Sequence, residues 1–110
     1  MNLAHQFRGP LGLKQDPVVS TAIRDSARGQ TCTMRSDWCN HDPSTVVFCH
    51  APVRRFGLGG MGMKVPDLFG YYGCHMCHAH ESDMGWDDIL RAMCETQMRL
   101  LAAGLIVLPR

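Results

Sequence analysis

Residues 68–78 read Leu-Phe-Gly-Tyr-Tyr-Gly-Cys-His-Met-Cys-His, and the fold turns on this stretch. Its first half, Leu68 to Gly73, reads as a short strand that runs straight into Cys74-x2-Cys77. Two cysteines at that spacing in a tight turn aim both sulfurs at one cation. Upstream, Cys32 and Cys39 enclose six residues and can complete a tetrahedral four-thiolate zinc site. That gap is wider than usual, so a hairpin or small loop has to bring Cys32 and Cys39 together. Two other readings are buried reduced cysteines, which pack as small apolar side chains, and a thioredoxin-like pair at Cys74 and Cys77. The redox pair lacks the βαβ context such motifs need. Cys94 falls inside an amphipathic helix and reads as core. Cys49 reads either as an interior strand residue or as a stray ligand beside His50.

The chain has 110 residues, enough for one domain and too few for two. Apolar residues make up 45%, charged residues 19% and aromatics 7%, a globular composition with few rings to fill a core. Six cysteines are fewer than a secreted disulfide scaffold carries, and the opening residues lack a charged n-region and an apolar h-region. No apolar run approaches the length of a membrane helix. These features lead to the expectation of a soluble, cytoplasmic protein that keeps its thiols for a metal.

The net charge of +1 excludes a strongly basic nucleic-acid binder at the level of the whole chain. Residues 1–64, however, carry eight Lys/Arg against four Asp/Glu, and residues 65–110 carry three against six. Nine of the eleven cations are arginines, which suit bidentate phosphate contacts.

Residues 1–19 mix Gly9, Pro10, Gly12 and Pro17 without a sustained period and read as a flexible N-terminal extension, leaving 20–110 as the domain. Ser20 or Thr21 can cap a short helix ending near Arg28, with Gly29 at its C′ position. Thr45 to Cys49 is β-branched and aromatic, a strand that delivers His50 at its end. Pro52 to Pro66 contains Gly57, Gly59, Gly60 and Gly62, too many for regular structure but suited to close approach of a phosphate. Ser82 and Asp83 can cap a helix from about Trp86 to Ala103, closed by Gly104. Its apolar face is predicted from Trp86, Ile89, Leu90, Met93, Leu100 and Leu101. Of the six histidines, His5, His41, His75 and His80 read as surface residues.

The run Phe48-Cys-His-Ala-Pro through Cys74-His-Met-Cys-His78 resembles the HNH, or ββα-metal, endonuclease core. A histidine ends a strand, a glycine-rich loop follows, then an Asp-Leu step, then a knuckle of form C-x2-C-H. With ARGQTC upstream and KVPDL within, the chain is similar to the small prophage-encoded YbcO-type nucleases over about residues 20–108. The resemblance implies an α+β fold: a small treble-clef, HNH-like core with a zinc knuckle and a C-terminal amphipathic helix. It implies phosphodiester hydrolysis in DNA, with His50 as general base. His78 would hold a catalytic divalent cation, Mg2+ or Mn2+, beside the structural zinc of Cys32, Cys39, Cys74 and Cys77. Asp67 stands where HNH enzymes usually have Asn; it would orient His50 or join the metal shell. Cys49 stands where many HNH enzymes have Asp or His, and a thiolate suits zinc better than magnesium. Arg54, Arg55 and Lys64, in or beside the glycine loop, would contact the phosphate backbone independently of sequence. HNH proteins that cut both strands often act in pairs, so a homodimer is among the expectations. The alternative from a different class is a non-catalytic treble-clef zinc module that binds nucleic acid or a partner protein.

Overall fold

A computed structural model describes residues 18–59 and 64–109. The expected N-terminal extension, apart from Val18 and Val19, lies outside the described residues, as do Gly60 and Gly62.

The first helix, α1, is Thr21–Asp25, with Ser20 as its cap: the Ser20 hydroxyl accepts the Ile23 N–H at 3.2 Å. The chain leaves α1 through a turn that ends at Gly29, whose φ of +75° suits a residue without a Cβ. Strand β1 is Val47–His50 and strand β2 is Gly70–Gly73. They pair antiparallel, Val47 opposite Gly73 and His50 opposite Gly70, so His50 and the knuckle sit at opposite ends of the ribbon. Four residues span roughly 10 Å of strand. Helix α2, His75–Ala79, follows β2, and its cap is Cys74, whose sulfur accepts the Cys77 N–H at 3.4 Å. Helix α3 is Trp86–Ala102, and Gly104 ends it at φ +75°.

A two-stranded ribbon alone is marginal in water, and here α3 covers it along β2. The outward edge of β2 is satisfied by hydroxyls. The Tyr72 N–H is shared between the Thr33 and Thr96 side-chain oxygens, each at 3.1 Å, and the Tyr72 carbonyl accepts the Thr33 N–H at 2.8 Å. Arg91 adds two bonds from α3 to the Thr33 and Met34 carbonyls, at 2.9 and 2.7 Å. These contacts fasten the 31–34 segment, which carries Cys32, to the sheet and the helix.

Two expectations about α3 are corrected. Its buried stripe is Ile89, Ala92, Thr96 and Leu100, which turns Leu90 (54% exposed) and Cys94 to the surface. The physical reason is Thr96, buried because its hydroxyl serves the β2 edge, which a count of apolar residues passes over. Ser82 and Asp83 also do not cap α3; they lie in a separate tight turn, Glu81–Asp83, and Gly85 precedes the helix without a side-chain cap. The Pro52–Pro66 segment, expected to be irregular, contains a helical turn at Val53–Phe56, ended by Gly57 at φ +82°.

Candidate functional site

The sulfurs of Cys32, Cys39, Cys74 and Cys77 all lie within 4.8 Å of one another, a group that can hold a metal ion. A tetrahedral Zn–S site with bonds of about 2.3 Å places its sulfurs about 3.8 Å apart. Cys74 and Cys39 are separated by 3.8 Å. The sulfurs also accept hydrogen bonds: the Cys74 N–H reaches Cys32 at 3.4 Å, and the Ser36 hydroxyl lies 3.0 Å from Cys77. Burial pushes the Cys77 thiol up to about 12. At Cys74, burial acts upward too, but the N–H groups of Cys77 and Asn40 outweigh it and bring the thiol down to about 7. Four soft donors, three of them buried, are compatible with zinc.

At the other end of the ribbon, β1 presents His50 to Asp67, with Nε2 2.7 Å from Oδ1. The Asp67 side chain is fully buried, yet four bonds converge on its two oxygens. The Ser20 N–H reaches Oδ2 at 2.7 Å, and Arg24 Nε lies 2.9 Å from Oδ2 and 3.1 Å from Oδ1. Burial by itself would raise the Asp67 pKa; the Ser20 amide, His50 and Arg24 outweigh it and hold the carboxyl below its ordinary value. Asp67 is therefore an acceptor only. His50 Nε2 therefore donates the proton in that bond.

His50 and Arg24 open onto a cavity of about 520 Å³, also lined by Ala51, Pro52, Arg54, Lys64 and Val65. Arg54, Arg55 and Lys64 are all exposed. Arg55 has its guanidinium over the rings of Phe56 and Trp86, at 5.6 and 5.8 Å.

The remaining site residues expected from the sequence lie apart. His78 is exposed on α2, which follows the knuckle end of the ribbon. Among the described residues, the four cysteines are the one set of three or more His, Cys, Asp or Glu ligands that converges, so His78 does not join His50 and Asp67 around a cation. Cys49 is buried, outside the cluster, with its sulfur against the Gly73 carbonyl at 4.0 Å. Burial, reinforced by Glu81, pushes its thiol up to about 12. It is an interior strand residue. His80 stacks on Trp38 with ring centres 4.6 Å apart and bonds Asp83 at 3.1 Å. His41 places Nδ1 3.7 Å from the Cys39 sulfur, closer to the metal group than a plain surface residue.

The sequence reading missed Arg24 and Ser20. They lie 43 and 47 residues from Asp67 along the chain, and nothing local marks either as more than part of a capped helix.

The fold and the two ends of the ribbon define a small α+β domain with a four-cysteine metal-binding group and, apart from it, a histidine held by a buried carboxylate in a cationic cavity. Comparison with known proteins narrows the class. The model of the family described as "Putative nuclease YbcO" matches residues 21–103, and the chain belongs to that family. It is 37% identical over 93 residues to the Putative nuclease YbcO of Escherichia coli K12, covering 76% of this chain and 95% of the relative. The same figures hold for the Putative nuclease ybcO of Enterobacteria phage 82. A solved structure of a putative bacteriophage protein from Escherichia coli K-12 superposes with a TM-score of 0.58 at 28% identity, covering 76% of this chain and all of that one. The family relation supports a nuclease role and the phage connection. Among the described residues, no helix is long and apolar enough to cross a membrane.

Proposed function

We propose that the protein is an endonuclease of the HNH kind that hydrolyses phosphodiester bonds in DNA. The observation that carries the reading is the His50–Asp67 pair. A fully buried carboxylate, kept ionised by Ser20 and Arg24, holds the histidine ring at 2.7 Å on the wall of a cationic cavity. His50 is the general base: Nδ1 takes a proton from the attacking water, and Asp67 stabilises the imidazolium that forms. Asp67 is a positioning residue in this scheme, because its oxygens are already engaged by protein donors. Arg54, Arg55 and Lys64 draw the phosphate backbone towards the cavity. The metal of the four cysteines is zinc in a structural role, since four thiolates leave no open position for substrate.

The resemblance also assigns a catalytic Mg2+ or Mn2+ to His78. The described donors do not fit that assignment: His78 joins no convergent ligand set, the Asp67 oxygens are engaged, and the Cys49 sulfur is buried. Cleavage compared with and without Mg2+ or Mn2+ reads the need for such a cation. The same separation favours a second reading, the non-catalytic treble-clef zinc module that binds nucleic acid or a partner protein.

Plasmid and branched DNA, with Mg2+, with Mn2+ and without either, distinguish the two readings when wild type and His50→Ala are compared at equal zinc content. The nuclease reading expects the wild type to cleave and His50→Ala to lose about 10²–10⁴-fold in rate. DNA binding without cleavage by either protein would establish the non-catalytic module instead. Loss of zinc in His50→Ala would show that the histidine is structural.

A further inference from the structure

Arg24 divides its guanidinium between two tasks. Nε is spent on both oxygens of Asp67, at 2.9 and 3.1 Å. Among the described residues, Nη1 and Nη2 have no hydrogen-bond partner, although the side chain is only 36% exposed. Arg24 lines the 520 Å³ cavity with His50, Arg54 and Lys64, and also the neighbouring cavity of about 330 Å³ with His50, Phe48 and Arg28. A guanidinium keeps its charge at every working pH and offers two parallel N–H groups in a fixed fork, the geometry that matches two oxygens of one phosphate. Fixing Nε on a buried carboxylate removes most of the rotamer freedom that such a contact ordinarily costs.

We propose that this cavity is a site for a single phosphodiester group, with the two Nη atoms of Arg24 as its fixed clamp on the non-bridging oxygens and His50 beside it. Arg54 and Lys64, on the exposed rim, add charge without fixing orientation. The Nη atoms carry a full positive charge at the place where negative charge grows on the phosphorus oxygens during attack, so the clamp strengthens in the transition state. Arg24 thus touches substrate at one end and positions the base, through Asp67, at the other. The inference rests on the nuclease reading for its biological substrate, but the binding site itself is tested without cleavage.

The first test is nitrogen-detected NMR of the zinc-loaded full chain titrated with dimethyl phosphate, the simplest phosphodiester, and separately with inorganic phosphate. The expected result is a saturable shift of the Arg24 Nη resonances, and a binding constant weakened at least tenfold in Arg24→Lys. Unmoved Nη resonances at saturating dimethyl phosphate would overturn the proposal, and this readout needs no variant to fold. The second test compares cleavage of DNA carrying Rp or Sp phosphorothioate at the cut site. Wild type is expected to cut both diastereomers more slowly than the all-oxygen phosphate, since each replaces one clamped oxygen, and Arg24→Lys to lose most of that slowing along with about 10²-fold in rate. A merely structural Arg24 would lower the rate and leave the slowing by sulfur intact, which would also overturn the proposal. The two readings fail separately. Without DNA cleavage, a shift at Nη keeps the phosphate site and removes the nuclease. Cleavage with silent Nη atoms and an unchanged slowing by sulfur keeps the nuclease and removes the site.

Discussion

Asp67 is the residue on which the candidate site depends, and its behaviour with pH follows from its partners. Its carboxyl is held below the ordinary value of 3.8 by the Ser20 amide, His50 and Arg24 acting against burial. A group whose folded value is depressed contributes stability that is complete above its unfolded value and is lost as pH falls through the folded one. The contribution of Asp67 is therefore complete at pH 7 and at pH 5, and is lost progressively as pH falls below about 4. Asp67→Asn is expected to cost about 3 kcal/mol at pH 7, because charge-assisted bonds to a buried carboxylate are replaced by neutral ones. Urea midpoints of the two proteins should converge only in acid; a difference that persists unchanged at pH 3 would show that the charge is not what holds the site. Cys94, exposed on α3, provides the contrast: Cys94→Ser is expected to shift stability by no more than about 0.5 kcal/mol in the same measurement. Of this site, His50 and Asp67 were legible as part of a family pattern. Arg24 and Ser20 were not, since a contact closed over more than 40 residues leaves no local spacing to read.

The ribbon explains how a short element can aim a histidine. His50 is paired with Gly70, and the space opposite His50 is set by what Gly70 lacks. A Cβ there would meet the Phe48 ring and approach the Cys49 carbonyl to 2.7 Å, so β1 has to move if it is added. Gly70→Ala is expected to cost about 2 kcal/mol by overpacking, and to lower cleavage more than it lowers zinc content, because the displaced strand carries the histidine. Differential scanning calorimetry beside a cleavage assay separates the two effects; a variant as stable as wild type would mean that the ribbon is free to shift. The strands were legible from β-branched and aromatic residues, and α3 from its apolar period. The rotation of α3 was not, because Thr96 faces inward to accept the Tyr72 N–H, a tertiary demand without a hydropathy signal. Thr96→Val is expected to lose about 1 kcal/mol in urea melts, with Thr33 still serving the same amide.

At the scale of the whole molecule, the question is what keeps so small a core folded. The four cysteines come from two distant pieces of chain, the 32–39 segment and the start of α2, and three of them belong to the same buried cluster as Ile23, Tyr71 and Leu100. A metal bound there ties the segment beside the β2 edge to the helix that follows β2. A structural zinc site contributes on the order of 10 kcal/mol, as much as the entire stability of an ordinary domain. Without the ion, four sulfurs within 4.8 Å either protonate and pack as thiols or stay charged and repel. Chelation at pH 7 is therefore expected to abolish the cooperative thermal transition, and Cys77→Ser to do the same without a chelator, whereas His50→Ala, which takes only one partner from Asp67, should keep a cooperative transition at a somewhat lower temperature with one zinc per chain. Circular dichroism melts together with metal analysis read this directly. A chelated protein that kept its cooperative transition would show that the apolar core suffices and that the cysteines serve as buried thiols. Loss of the transition on chelation, recovered by adding zinc alone, would place the metal among the determinants of the fold, with the His50 cavity at the far end of the ribbon depending on it only through the strands between them.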